Sequence, residues 1–240
     1  MRNSGTKTAI VSLALLAGLG GAVRICAAKH PYPDGVILNL DLQHIEEGLI
    51  PNKTLYPLYV PLGELETKTV NGREILLLRE GQGFDIPHSS LLDPDGGEWV
   101  ATIRVFLKSD GIILSQGNGQ TGYVIYSKEG EIHVAIQTGA TVVLKEDPQK
   151  GITQCLGKWV TIDLRIQPEQ AILNLNRARV ATVPLPSPLS GKECKIRIGE
   201  HPTLPAPLQG DTTTAGATSI NAVVNDTGVS TRSRFHDSPQ

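Results

Sequence analysis

Aromatic side chains are scarce in this chain: three Phe, two Trp and five Tyr among 240 residues. Sugar binders often stack their ligands on exposed rings, so this supply leaves little for a broad stacking surface and favours a protein-contact or scaffold role. Basic charge is also short. Lys and Arg number 22 against 24 Asp and Glu, a formal net charge of −2. Phosphate backbones are held by a basic surface that releases counterions, so nucleic acid is excluded as a partner. No segment carries a long stripe of 3.6-residue period, and helix content is expected to be small. The six histidines (His30, His44, His88, His133, His201, His236) are scattered without the close spacing zinc prefers. Gly81-Gln82-Gly83 lacks the helix that would make it a phosphate loop.

Long apolar runs are missing too, except near the start. Arg2 and Lys7 precede an apolar stretch over 9–23, and Cys26-Ala27-Ala28 supplies small residues for cleavage before Lys29. The run is shorter than the ~20 residues of a spanning helix. Residues 1–28 are therefore expected to be a signal peptide, and the protein secreted, periplasmic or extracellular, with no membrane span in its mature form. Removing them takes away three basic residues and no acid, so the mature charge is about −5. Cys26 leaves as well. Cys155 and Cys194 remain, and two cysteines in an exported chain are expected to pair as one disulfide.

What is present is a β pattern. Runs of five to nine residues alternate apolar and polar, separated by Gly, Asn, Asp or Pro. Over 99–107, Trp99, Ala101, Ile103, Val105 and Leu107 share one face. Ile132, Val134 and Ile136 do so over 131–137, and Val160, Ile162, Leu164 and Ile166 over 158–166. Further strands are expected over 36–42, 73–78, 112–116, 123–127, 171–175, 179–183 and 195–198, with 48–69 largely loop. Turn signals recur about every 8–12 residues, as in an antiparallel sandwich or barrel. Beyond 201 the chain is rich in Pro, Thr and Ser. The segment 202–240 is expected to be a largely disordered tail in which 219–224 alone has the character of a closing edge strand.

The order of these segments resembles a known family. Gly81-Gln82-Gly83-Phe84-Asp85-Ile86-Pro87, then Glu98-Trp99-Val100-Ala101-Thr102-Ile103, then Gly157-Lys158-Trp159-Val160-Thr161-Ile162 and Ile196-Arg197-Ile198-Gly199 are similar to laminin-G-like domains of the concanavalin A-like lectin/glucanase superfamily. The resemblance implies an all-β, two-sheet antiparallel jelly-roll sandwich over 29–201. It also implies ligands on the concave sheet or a loop rim: glycans or proteins, in some relatives through calcium. Some relatives are glycoside hydrolases or polysaccharide lyases, but the glucanases' E-x-D-x-x-E strand is absent here. Hydrolysis needs two carboxylates about 5–10 Å apart. No residue is therefore assigned a catalytic role.

The function expected is non-catalytic recognition of a glycan, with an extracellular or envelope protein as the other partner class. The polar face of the central strands offers His133, Gln137, Arg165 and Arg197, with Tyr126 beside them, as ligand-binding candidates. The same face, lined by acid–base and cationic groups, would serve a polysaccharide-active lyase or hydrolase if they form one trough. A structural or protein-interaction module is the third reading. Asp93, Asp95 and Glu98 are the best local carboxylate cluster for a rim calcium, although Asp-Pro-Asp-Gly is also a turn sequence.

Overall fold

The computed structural model describes residues 36–40, 45, 47–54, 58–61, 63–70, 73–79, 82–145, 154–199 and 222–232. The expected signal peptide, Cys26 and the rest of the tail lie outside them. Among the described residues sixteen strands follow one another: β1 (Val36–Leu40), β2 (Leu49–Pro51), β3 (Tyr59–Pro61), β4 (Glu66–Val70), β5 (Arg73–Leu78), β6 (Gly83–Ile86), β7 (Glu98–Leu107) and β8 (Gly111–Gly117). Then come β9 (Gly122–Lys128), β10 (Glu131–Gln137), β11 (Thr141–Lys145), β12 (Trp159–Gln167), β13 (Gln170–Leu175), β14 (Ala178–Pro184), β15 (Lys195–Gly199) and β16 (Ala222–Arg232). Among the described residues no helix is long and apolar enough to cross a membrane.

The strands form two large antiparallel sheets. One has the order β14-β13-β12-β7-β16-β5-β4, with β1 also paired to β16. The other runs β11-β10-β9-β8-β15-β6, and β2 and β3 make a separate hairpin. The fold is thus the all-β sandwich expected from the alternation. Trp99, Ala101, Ile103, Val105 and Leu107 all point inward from β7, as do Val160, Ile162, Leu164 and Ile166 from β12 and Ile132, Val134 and Ile136 from β10. A Leu or Ile moved from water into such a core contributes about 1.5–3 kcal/mol. Turns also follow the sequence. Glu129 and Gly130 have φ of 55° and 78°, as a two-residue β9–β10 hairpin of the primed type requires.

The tail differs from expectation. Residues 222–232 form β16, which lies inside the sheet rather than at its edge. One side pairs with β7 along 222–232; the other is shared by β5 at 222–224 and β1 at 227–230. The segment is polar, with a register irregularity between Val224 and Asp226. Its strand character comes from non-local pairing with the long core strand β7, which local composition does not report.

The expected disulfide is corrected as well: Cys155 and Cys194 are buried free thiols. The Cys155 N–H donates to the Gly130 carbonyl (2.7 Å), at the turn where β9 ends. Cys194 sits at the opposite end, in the loop that the Asn118 amide grips by donating to the Lys192 carbonyl (2.8 Å). The seven residues of β9 separate the two ends, about 20 Å of strand, and a disulfide tolerates no more than about 7 Å between Cα atoms.

Candidate functional site

The alternation that sends Ile132, Val134 and Ile136 into the core sends Glu131, His133, Ala135 and Gln137 to the outer face of the six-stranded sheet. Register places Tyr126 beside His133, Ile112 beside Tyr126, and Val124 between Ala135 and Ser115. Arg197 lies across from Ser115. Four of the expected ligand residues (Tyr126, His133, Gln137, Arg197) therefore share this face. Its centre is not a polar trough. Ile112, Val124, Tyr126 and Ala135 form a second apolar cluster, each at most 2 % exposed. Tyr126 is buried in this cluster, and Tyr123 in the main core, where its hydroxyl accepts from the Trp99 indole N–H (3.4 Å). Burial drives the Tyr123 phenol well above its ordinary pKa.

The polar groups on this face are individually engaged. The His133 and Tyr126 rings stack with centroids 5.3 Å apart and planes 21° apart, and His133 Nε2 lies 3.8 Å from Glu131 Oε2. The Thr141 hydroxyl donates to Gln137 Oε1 (2.6 Å). Arg197 pairs with Asp85 (3.0 Å), and its buried Nε has no hydrogen-bond partner. Arg197 stands on β15, with β8 between it and Tyr126, roughly 10 Å away across the sheet. Arg165 belongs to the other sheet, on β12, where its Nε is 3.3 Å from Glu98 Oε1. Of the two candidate arginines, Arg165 is thus on the other sheet from His133 and Tyr126, and Arg197 shares their face but is separated from Tyr126 by β8.

The carboxylates of the Asp93-Pro94-Asp95-Gly96 turn also have separate employers. Asp93 accepts the backbone N–H groups of Cys194 (2.8 Å) and Glu193 (3.1 Å), and His88 Nε2 lies 3.2 Å from its Oδ1. Asp95 accepts from the Gly97 N–H (2.9 Å), and Glu98 faces Arg165. Among the described residues no group of three or more His, Cys, Asp or Glu is placed to hold a metal ion. Asp93 is instead a clasp between two loops a hundred residues apart in sequence. Burial, and then the Asp93 carboxylate, push the Cys194 thiol up to about 11, so it is neutral at physiological pH and a poor nucleophile.

The feature sequence reasoning missed lies on the outer face of the eight-stranded sheet. Trp159, unlike the core residue Trp99, is 38 % exposed. The parity of β12 gives the signal: if Val160, Ile162, Leu164 and Ile166 face in, Trp159 faces out. Register puts Phe106 across from Trp159 and Arg104 across from Thr161. The Phe106 ring meets the indole edge-on at 5.8 Å, and the Arg104 guanidinium lies 5.2 Å from the indole centroid, within the range of a cation–π contact. Further along the face, the Thr102 hydroxyl donates to Asp163 (2.8 Å) and Glu98 faces Arg165. Those two acids have partners; Arg104 is held over the ring, and the register of β16 places Asp226 across from it.

No protein-family model and no curated protein sequence matches this chain. Solved structures match its fold. The binding domain of botulinum neurotoxin serotype G is similar with a TM-score of 0.59 at 12 % identity, over 82 % of this chain and 48 % of that one. The binding domain of Paraclostridial Mosquitocidal Protein 1 gives 0.60 at 10 % identity, over 83 % and 49 %. The receptor binding domain of botulinum neurotoxin D gives 0.59 at 11 %, over 82 % and 49 %. The chain spans about half the length of these domains. What it shares with them is the β-sandwich; the narrower laminin-G-like resemblance does not follow from them.

Proposed function

We propose that this chain is an exported, non-catalytic recognition module of lectin-like architecture whose ligand is a glycan, held on the outer face of the eight-stranded sheet at Trp159. The observation that carries this is the presented indole. In a chain with two tryptophans, one is spent in the core and the other stands at the surface, braced by Phe106 and Arg104. A braced ring loses little freedom on binding, and sugar C–H faces stack on such rings. Binding domains among the structural neighbours are in keeping with the same class of role.

The test is retention of the protein on a polysaccharide array, with product release followed in parallel. Retention without product, weakened at least about tenfold by Trp159→Ala, is expected. Retention that Trp159→Ala leaves intact would move the site elsewhere, and product lost in His133→Ala would make the protein an enzyme. Chelator is expected to change neither retention nor melting temperature, because Asp93 and Asp95 already accept backbone N–H groups and Glu98 faces Arg165.

A protein-contact role has one observation in its favour. On the β2–β3 hairpin, Ile50 and Val60 are buried while Leu49 and Tyr59 point outward, Tyr59 at 57 % exposure, beside Pro51 and Pro61. Loss of partner capture in Tyr59→Ser, with glycan retention absent, would favour that role.

A further inference from the structure

We infer that Asn118 is a self-modifying site: its side-chain amide cyclises onto the Gly119 nitrogen and hydrolyses to a carboxylate, which loosens the loop that seals Cys194. The inference is independent of the glycan reading. Asn118-Gly119-Gln120-Thr121 is the turn between β8 and β9. Asn118 Oδ1 accepts two backbone N–H groups, from Gln120 at 3.0 Å and from Thr121 at 3.1 Å. Such a bond to the residue two ahead is ordinary for Asn in a turn. It also aims two donors at the oxygen on which charge grows when the amide carbon is attacked, as an oxyanion hole does in acyl transfer. The next nitrogen along the chain belongs to a glycine, so no side chain hinders its approach. Gly119 is exposed and the space beside its Cα is open, so water and hydroxide reach the turn. Hydroxide removes the Gly119 N–H proton, and the nitrogen bonds to Asn118 Cγ. The Cγ–Nδ2 bond breaks as Nδ2 takes a proton from water and leaves as ammonia, which returns the hydroxide. Water then opens the cyclic imide at either carbonyl and leaves an aspartyl or isoaspartyl residue.

What the amide holds decides what its loss does. Asn118 Nδ2 donates to the Lys192 carbonyl at 2.8 Å. A carboxylate offers only acceptors, so an attraction becomes two oxygens facing each other. The loop anchored there is otherwise gripped by Asp93, through the Glu193 and Cys194 N–H groups. Glu193 has a φ of 55°, a left-handed conformation that costs a non-glycine residue and persists only while its surroundings hold it. Gly191 packs closely on what lies beneath it: a Cβ there would stand 2.7 Å from Cys194 Sγ and 2.5 Å from the Thr121 methyl. The Asn118 anchor thus secures the cover over a thiol that is 1 % exposed.

The full chain is incubated at pH 7, 8 and 9, folded and in guanidinium chloride, and the acid formed is followed by peptide mass mapping. Asn71-Gly72, the other Asn-Gly pair in the sequence, gives in denaturant the rate of the dipeptide alone. Expected is acid at position 118, forming faster as pH rises and faster in the folded chain than in the unfolded one, where both donors are lost. Slower conversion of Asn118 in the folded chain would overturn the modification. Asn118→Asp tests the consequence. At pH 8 it is expected to speed alkylation of Cys194 by iodoacetamide in the folded protein roughly tenfold. Cys155, at the opposite end of β9, should be unchanged. Thermal melts of both proteins separate local release from a general loss of stability. An equal gain at both cysteines, or none at Cys194, would overturn the release.

Discussion

At the scale of single residues, two side chains carry more than their local sequence announces. Asp93 sits in a turn motif, yet its carboxylate receives two backbone N–H groups and a histidine ring from elsewhere in the fold. Asp93→Ala would leave the Cys194 and Glu193 amides short of an acceptor, and a cost of about 1–3 kcal/mol in denaturant unfolding is expected. Cys194 supplies a pH signature. Its folded pKa, about 11, lies above its ordinary value of 9.0. Between these values the unfolded chain has lost its thiol proton while the folded one keeps it. Stability therefore falls as pH rises through that window and is unaffected below it. Chemical denaturation at pH 8, 9, 10 and 11 should show this decline, and Cys194→Ser should flatten its lower part, leaving the drop due to Tyr123 at higher pH. Both cysteines should alkylate only after unfolding.

Elements show how much of the fold is written in short stretches. The alternation in β7, β10 and β12 names their inward faces residue by residue, and Lys128-Glu129-Gly130 marks its hairpin. The same rule held the position of Trp159, which the size and apolar character of an indole obscured. β16 was not legible. Its residues Ala222-Val223-Val224-Asn225-Asp226-Thr227-Gly228 are ordinary in a polar tail, and only the open edge of β7 makes them a strand. If β16 closes the sheet, ending the chain at residue 221 would bare the edges of β7, β5 and β1 together. The shortened protein is expected to aggregate or unfold cooperatively at lower temperature. Val229→Pro, opposite Ala101, would delete a ladder bond within a central strand and should cost about 3 kcal/mol or more. A melting temperature unchanged by both would show that the sheet closes without β16.

For the whole molecule, the decisive information is which strands share a sheet, and periodicity does not contain it. β10 and β12 have the same alternation and similar lengths, yet one lies in the six-stranded sheet and the other in the eight-stranded one. His133 and Arg165, polar residues at equivalent phases of their strands, thus emerge on opposite sides of the sandwich. The burial of Ile112, Val124, Tyr126 and Ala135 on an outer face was equally beyond local pattern, because apolar residues on both phases of β8 and β9 read only as strongly buried strands. This division has an energetic consequence. Packed sheets stand about 10 Å apart, so groups on the two outer faces are separated by more than that and share no partner. Substitutions at such sites add to within about 0.5 kcal/mol, whereas groups in contact couple. Arg165→Ala and Arg197→Ala should therefore be additive in denaturant unfolding. Glu98→Ala and Arg165→Ala should not be: once either member of the 3.3 Å pair is gone, removing the other costs less. Coupling between Arg165 and Arg197 as large as that between Arg165 and Glu98 would mean that the two arginines share one face, and would restore the single polar trough that the strand order of the two sheets takes apart.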